Sequence, residues 1–314
     1  MELLGQSAIF LAALEVLTRL ARFDVPVLIE GETGTGKELA ARAVHYQSPR
    51  RDRPFIPVNC GALPEALVEN ELFGHERGAY TDARESARGL INLADGGTLF
   101  LDEIDALSAK AQVSLLRFLQ DQRYRPIGAP SDRRADVRII AATNQQLEAL
   151  AAQGQFRSDL LFRIKVMFVE LPPLRLREGD AKLLAEHFLD VCARRFKEPR
   201  KRLAKSTLAW LDRYEWPGNV RELENTIMRE CLMNDAQTLV FPQREKASPE
   251  SDSAVSYAAA KAAALGEFDR RFLRESLLRA SGNVTRAALD ACKDRRAFGR
   301  LMKKYGINVR DFRH

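Results

Sequence analysis

Three glycines in six positions, Gly31, Gly34 and Gly36, stand immediately before Lys37, between an apolar run at 25–29 and a helix-forming stretch at 39–44. Few folds accommodate that order. Glycines leave backbone N–H groups open to a phosphate, a helix N-terminus adds positive potential, and a lysine placed there reaches β- and γ-phosphates. We therefore read Gly31, Glu32, Thr33, Gly34, Thr35, Gly36, Lys37 and Glu38 as a nucleotide-phosphate loop. Glu38 departs from the general motif, which has a magnesium-ligating Ser or Thr there.

Further short apolar runs occur at 55–58, 98–101, 137–142 and 166–171, separated by longer segments. Runs this short and rich in Val, Ile, Leu and Phe predict buried strands of a parallel sheet with helices on both faces, an α/β domain over 1–171. Pro172 and Pro173 close the last run. The spacing of Ala181, Leu184, Ala185, Phe188, Leu189, Cys192 and Phe196 then predicts an amphipathic helix opening a helical lid at 172–241. Residues 242–264, rich in Pro, Ser, Ala and charge, are read as a linker.

The run at 98–101 ends in Asp102 and Glu103. In a parallel sheet both carboxylates reach the carboxyl edge, where Asp102 can orient Mg²⁺ and its waters and Glu103 can polarise an attacking water. Asn144, closing the 137–142 run, is placed to touch a γ-phosphate or that water.

Four cysteines and four histidines show no ligand or disulfide spacing, and no run reaches the ~18 apolar residues of a membrane span. With no basic, apolar leader at the start, a cytoplasmic location without membrane contact is expected. The net charge of +6 is unevenly spread. Residues 265–314 carry 13 Lys/Arg against 6 Asp/Glu, leaving the preceding 264 residues at −1. A helix at 268–280 is followed by Gly282 and Asn283, which stop it and cap the next, and Asp294 can cap a last helix. That helix would bury Phe298, Leu301 and Met302 and expose Arg295, Arg296, Arg300, Lys303 and Lys304. A cationic helix of this kind suits a DNA groove, the first three side chains reading bases and the two lysines near phosphate.

The phosphate loop, Ala94-Asp95-Gly96-Gly97-Thr98-Leu99-Phe100-Leu101-Asp102-Glu103, Phe156-Arg157-Ser158-Asp159-Leu160-Leu161-Phe162-Arg163 and Trp216-Pro217-Gly218-Asn219-Val220-Arg221-Glu222-Leu223 together resemble the AAA+ domain of sigma-54-dependent transcriptional activators, the bacterial enhancer-binding proteins. The similarity runs to about residue 241. It implies that Glu38 is ordinary at its place. It also implies that Asn59 restrains the catalytic Glu103, Asn144 is a sensor, Arg157 and Arg163 reach a neighbouring subunit's nucleotide, and Arg221 is the lid's sensor arginine. Gly78, Ala79, Tyr80, Thr81, Asp82 and Ala83 match a Gly-Ala-Phe-Thr-Gly-Ala loop that engages the sigma factor, with tyrosine for phenylalanine and a charged Asp82 for a glycine. The tail resembles a Fis-type helix-turn-helix, with Cys292 and Lys293 where a glycine is usual.

The expected protein is an ATPase with Mg²⁺ that binds an upstream double-stranded DNA site as a dimer, assembles into a hexameric ring and remodels the closed complex of RNA polymerase with sigma-54. The sequence opens at the start of this similarity, which leaves two expectations open: control by a regulator in trans, or an N-terminal segment that the sequence lacks. Two alternatives stay open: a DNA-binding regulator of the same fold that has lost the sigma-54 contact, for which Asp82 is the motive, and a chaperone-like AAA+ remodeller.

Overall fold

In the computed structural model the described residues are 3–62, 65–79, 85–241, 269, 272–273, 276–278, 280, 283–291, 293–304 and 307. The chain divides into two compact units, Met1–Pro242 and Gln243–His314. The expected linker at 242–264, residues 80–83 of the expected sigma loop and Cys292 lie outside the described residues.

The first unit is built on a five-stranded parallel sheet in the order Phe55–Asn59, Thr98–Asp102, Arg138–Thr143, Val27–Glu30, Met167–Glu170. The three inner strands are buried almost end to end, whereas the outer two show exposed positions. Strand period two explains why. Leu28, Leu99, Leu101, Ile139 and Ala141 enter one core, with the helix Ala109–Asp121 behind them. Val27, Ile29, Phe100, Ile140, Ala142 and Val169 enter a second core, against the helices Ala8–Ala21 and Lys37–Tyr46. Covering both faces is what lets strands this apolar stay in water.

Ala8–Ala21 turns Phe10, Ala13, Leu17 and Leu20 inward at helical spacing. Its N-cap residue Ser7 makes no capping bond, because its hydroxyl donates to Asp180 Oδ2 at 2.9 Å. Asp180 opens the lid helix Asp180–Phe196 and is fully buried. Its carboxylate also accepts the backbone N–H groups of Gln6 (2.7 Å) and Ser7 (3.1 Å) and pairs with buried Arg177 at 2.9 Å. Burial opposes ionisation of Asp180, but these donors outweigh it and hold the carboxyl below its usual range. Arg177 in turn bonds Leu4 O at 2.7 Å and lies 3.7 Å above the Phe10 ring.

The lid adds the helices Lys205–Arg213 and Asn219–Met233 and its own core around Trp216, Leu189, Leu223 and Ile227. Cys192 is buried on the helix Asp180–Phe196, and Cys231 is half-buried against the lid core. In the second unit, the described residues between 268 and 280 are helical up to Leu278. Asn283 Oδ1 accepts from the N–H groups of Thr285 and Arg286, capping Val284–Asp290. Asp294 Oδ1 does the same for Arg296 (2.7 Å) and Ala297 at the start of Arg295–Lys304. Phe298 and Met302 are buried with Leu273, Leu277, Ala287 and Ala288, and Leu301 is half-buried.

Two measurements test these anchors. Asp180→Ala leaves Arg177 buried without its counter-charge and should cost about 3–5 kcal/mol in urea unfolding; a loss under about 1 kcal/mol would show the link to be dispensable. Buried His45, whose Nδ1 lies 2.9 Å from Thr98 Oγ1, is held below the ordinary histidine value of 6.5 by burial, with Arg138 and Arg42 acting in the same sense. The unfolded chain then takes up the proton first, so stability should fall as pH drops below about 6.5. His45→Gln should flatten that part of the profile, and an unchanged slope would assign it to other groups.

Candidate nucleotide site

Because the strands are parallel, their carboxyl ends share one edge, and register pairs Asn59 with Asp102 and Glu30 with Thr143 there. A cavity of about 1070 Å³ opens above this edge and reaches the lid. Its walls include Thr33, Gly34, Thr35, Gly36, Lys37, Glu38, Asp102, Glu103, Asn144 and Arg221. Gly31 and Glu32, expected among the nucleotide contacts, are not on that wall. The Glu32 carboxylate is turned the other way, into a bidentate pair with Arg175 at 2.6 and 2.8 Å. That pairing, with Asn219, lowers its pKa to about 2.

Gly34 and Gly36 both have left-handed φ (83° and 99°), which lets the loop curl into the N-terminus of Lys37–Tyr46. Lys37 Nζ donates to the carbonyls of Gly31 (2.7 Å) and Glu32 (3.2 Å). Burial lowers its pKa, against the upward pull of Asp102, Glu103 and Asp105. Glu38, the unusual last residue of the loop, pairs with Arg42 one turn along the helix at 2.8 Å.

Opposite Lys37, burial raises the Asp102 carboxyl, partly offset by the Lys37 charge. Glu103 adopts a left-handed backbone (φ 54°), a cost of roughly 1–2 kcal/mol for an L-residue. Its carboxylate lies over Gly61, where a Cβ would come within 2.2 Å of Glu103 Oε2 and 3.4 Å of Asn59 Oδ1. Asn59 and Glu103 thus flank the same glycine. The hydrogen bond recorded for Asn59 goes to the Ala62 N–H at 2.9 Å, rather than to Glu103. Cys60, packed beside Asp102, Asp105 and Glu103, has its thiol pushed up to about 12, chiefly by burial. Asn144 donates to Thr33 Oγ1 at 2.9 Å.

Arg157 and Arg163 are not on the cavity wall. Both are exposed; Arg157 pairs with Asp159 (2.8 Å), and Arg163 reaches Leu119 O (3.2 Å). Of the expected sigma loop, Gly78 and Ala79 are described. Its base is tied to the hairpin Arg123–Tyr124/Arg133–Arg134 by Glu76 N to Ile127 O (2.9 Å), Ile127 N to Gly74 O (2.8 Å) and a Glu76–Arg133 ion pair. In the second unit Arg295, Arg296, Arg300, Lys303 and Lys304 are all exposed on one short helix.

Sequence reasoning missed three contributors. Leu3, Phe10 and Leu14 from the N-terminal segment, with Phe188 from the lid, give the cavity an apolar end. Arg177 carries that segment on its buried pair with Asp180, and Asn219 joins the lid to the phosphate loop. Asn219 lay within a quoted motif, whereas the N-terminal segment is held by Arg177 and Asp180 through bonds that span more than 170 positions.

Mg²⁺ binds through one or two carboxylates together with substrate phosphates. Asp102 at the strand end, facing Lys37, supplies a hard oxygen of that kind.

Residues 3–170 match the sigma-54 interaction domain, and residues 175–253 match the AAA+ ATPase lid domain. The transcriptional regulatory protein GlrR of Escherichia coli is 40% identical over 309 residues, covering 98% of this chain and 69% of that protein. The hydrogenase transcriptional regulatory protein HoxA of Bradyrhizobium diazoefficiens is 41% identical over 303 residues, covering 94% of this chain and 62% of its own length. The chain thus spans a little under two thirds to about 69% of these relatives. NtrX from Brucella abortus, solved in complex with ATP, superposes with a TM-score of 0.75 at 31% identity, covering 98% of this chain and 69% of that one. The chain belongs to the sigma-54 interaction domain family, as the AAA+ P-loop ATPase domain of sigma-54-dependent activators together with its lid.

Proposed function

We propose that this chain hydrolyses ATP and uses the cycle to remodel the closed complex of RNA polymerase with sigma-54 in the bacterial cytoplasm. The observation that carries the reading is the meeting of Lys37, Asp102, Glu103, Asn144 and Arg221 on one cavity between sheet and lid. Lys37 would exchange its two neutral carbonyl acceptors for β- and γ-phosphate oxygens, a trade of ion–dipole for ion–ion hydrogen bonds. Glu103, held over Gly61 by a strained backbone, would orient and polarise the attacking water. Asn59, whose Oδ1 lies near the same face of Gly61, would restrain that carboxylate. Asn144 would sense the γ-phosphate and Arg221 the bound nucleotide from the lid. Asp102 would hold Mg²⁺, whose charge would offset that of the nucleotide phosphates.

Arg157 and Arg163 are exposed and off the wall of their own cavity, so they would act on a neighbouring subunit's nucleotide in a ring, for which we propose a hexamer. Such a finger is worth roughly 10³–10⁵ in rate, and hydrolysis then depends on assembly. The loop 78–83 would touch sigma-54. The exposed cationic helix Arg295–Lys304 would enter the DNA major groove at the enhancer, bound by a dimer. Asp82 favours one rival, a DNA-binding regulator of this fold acting with another sigma factor.

The decisive experiment is transcription in vitro from a sigma-54 promoter with ATP and purified protein. Open complexes that form with ATP and not with ADP support the reading; ATP hydrolysis without open complexes favours the rival. Glu103→Ala should keep ATP affinity while kcat falls about 10²–10⁴-fold; undiminished turnover would remove Glu103 from its role. Replacing Arg296 and Arg300 by alanine should end the specific footprint while leaving ATP turnover intact, each lost contact costing about 1–3 kcal/mol. An unchanged footprint would place DNA recognition elsewhere.

A further inference from the structure

Asn219 is the first residue of the helix Asn219–Met233, is fully buried and has a left-handed backbone (φ 51°). An asparagine that accepts this conformation needs compensation, and its side-chain amide provides it. Oδ1 accepts the Leu174 N–H at 2.8 Å, while Nδ2 donates to Thr33 O at 3.0 Å and to Glu32 Oε2 at 3.1 Å. Both amide hydrogens and the carbonyl are therefore engaged, and two of the three partners belong to the phosphate loop. The next N–H, of Val220, donates to Gly34 O at 3.0 Å. Loop and lid are in such close contact that a Cβ on Gly34 would lie 2.3 Å from Gly218 O and 3.2 Å from the Arg221 Cβ.

Glu32 fixes this junction from outside. Its carboxylate takes both guanidinium nitrogens of Arg175, which lies in the turn Leu174–Leu176 just after the last strand, where the lid begins. With a pKa of about 2, chiefly from that pairing, Glu32 is ionised at any working pH. Arg175 has no place on the cavity wall, so any effect it has on nucleotide must pass through another residue. Thr33, Gly34, Val220 and Arg221 all lie both at this junction and on the wall, and Arg221, two positions after Asn219, is the one among them with a charged side chain to offer a phosphate.

We propose that Asn219, clamped by Glu32 and Arg175, is a positioning residue that seats the first turn of the Asn219–Met233 helix on the phosphate loop and so sets where Arg221 meets the nucleotide. This rests on the cavity being an ATP site. The clamp does for the lid what a second polar shell does for a ligand: it restricts the side chain that makes the contact without making the contact itself.

The test is a double-mutant cycle on the full chain, reading the affinity of a fluorescent ATP analogue together with the urea unfolding midpoint. Arg175→Gln should weaken binding about tenfold in the wild-type background and by less than about twofold once Arg221 is already alanine. Arg175→Lys, which keeps the charge and loses the fork, should recover part of the loss. Glu32→Gln, probing the partner side of the pair, should reproduce the same pattern if Arg175→Gln unfolds the lid. Equal weakening in both backgrounds, or affinity unchanged in the wild-type background, overturns the proposal and makes the clamp structural. A wild-type chain that fails to bind the analogue overturns the ATP-site reading itself.

Discussion

The constraint on which everything else depends is that all five strands of the central sheet run in the same direction. Parallel strands finish on one edge, so Asn59, the Asp102–Glu103 pair and Asn144 meet there although they come from strands far apart in the chain. The strand Val27–Glu30 lies inside the sheet, next to Arg138–Thr143 and the Met167–Glu170 edge. The glycine loop consequently emerges one strand in from the end of the sheet, with the carboxylate-bearing strand Thr98–Asp102 two places to one side. Reversing any one strand would move its terminal residue to the opposite end of the sheet.

Sheet and lid keep separate apolar cores, with Leu3 packed against one and Leu4 against the other. What joins them is largely polar: the buried Arg177–Asp180 pair, which also holds Gln6 and Ser7, and the link from Asn219 to Glu32 and Thr33. Polar links have defined partners and directions, whereas an apolar interface of similar area tolerates sliding. A lid hung this way has a specified seat over the loop. The cavity it closes is charged at the sheet edge and apolar at the end formed by Leu3, Phe10, Leu14 and Phe188. That division suits a ligand with an anionic and an aromatic end.

Much of this was legible in the order of residues. Runs at 25–29, 55–58, 98–101, 137–142 and 166–171 became strands with ends displaced by only one or two positions, because apolar runs bounded by polar or glycine residues are a local signal. The caps at Asn283 and Asp294 were legible for the same reason, since a capping side chain bonds within its own first turn. Glu32 was assigned to nucleotide by its place in the motif, yet its side chain serves Arg175, 143 positions away. Asn59 was expected on Glu103 and bonds Ala62, a difference a strand-end position alone could not reveal.

The sequence by itself determined the strand and helix segments, the glycine loop, the acidic strand end and the uneven charge that sets the tail apart. Each of those is written in neighbouring residues and follows from local periodicity, backbone freedom or simple charge. Only the tertiary structure decided which way Glu32, Glu38 and Asn59 turn, that Arg157 and Arg163 leave their own cavity, and that the first residues of the chain form its apolar end. Those outcomes are competitions among hydrogen-bond and packing partners far apart in sequence, and the winner exists only once the sheet has brought them within reach.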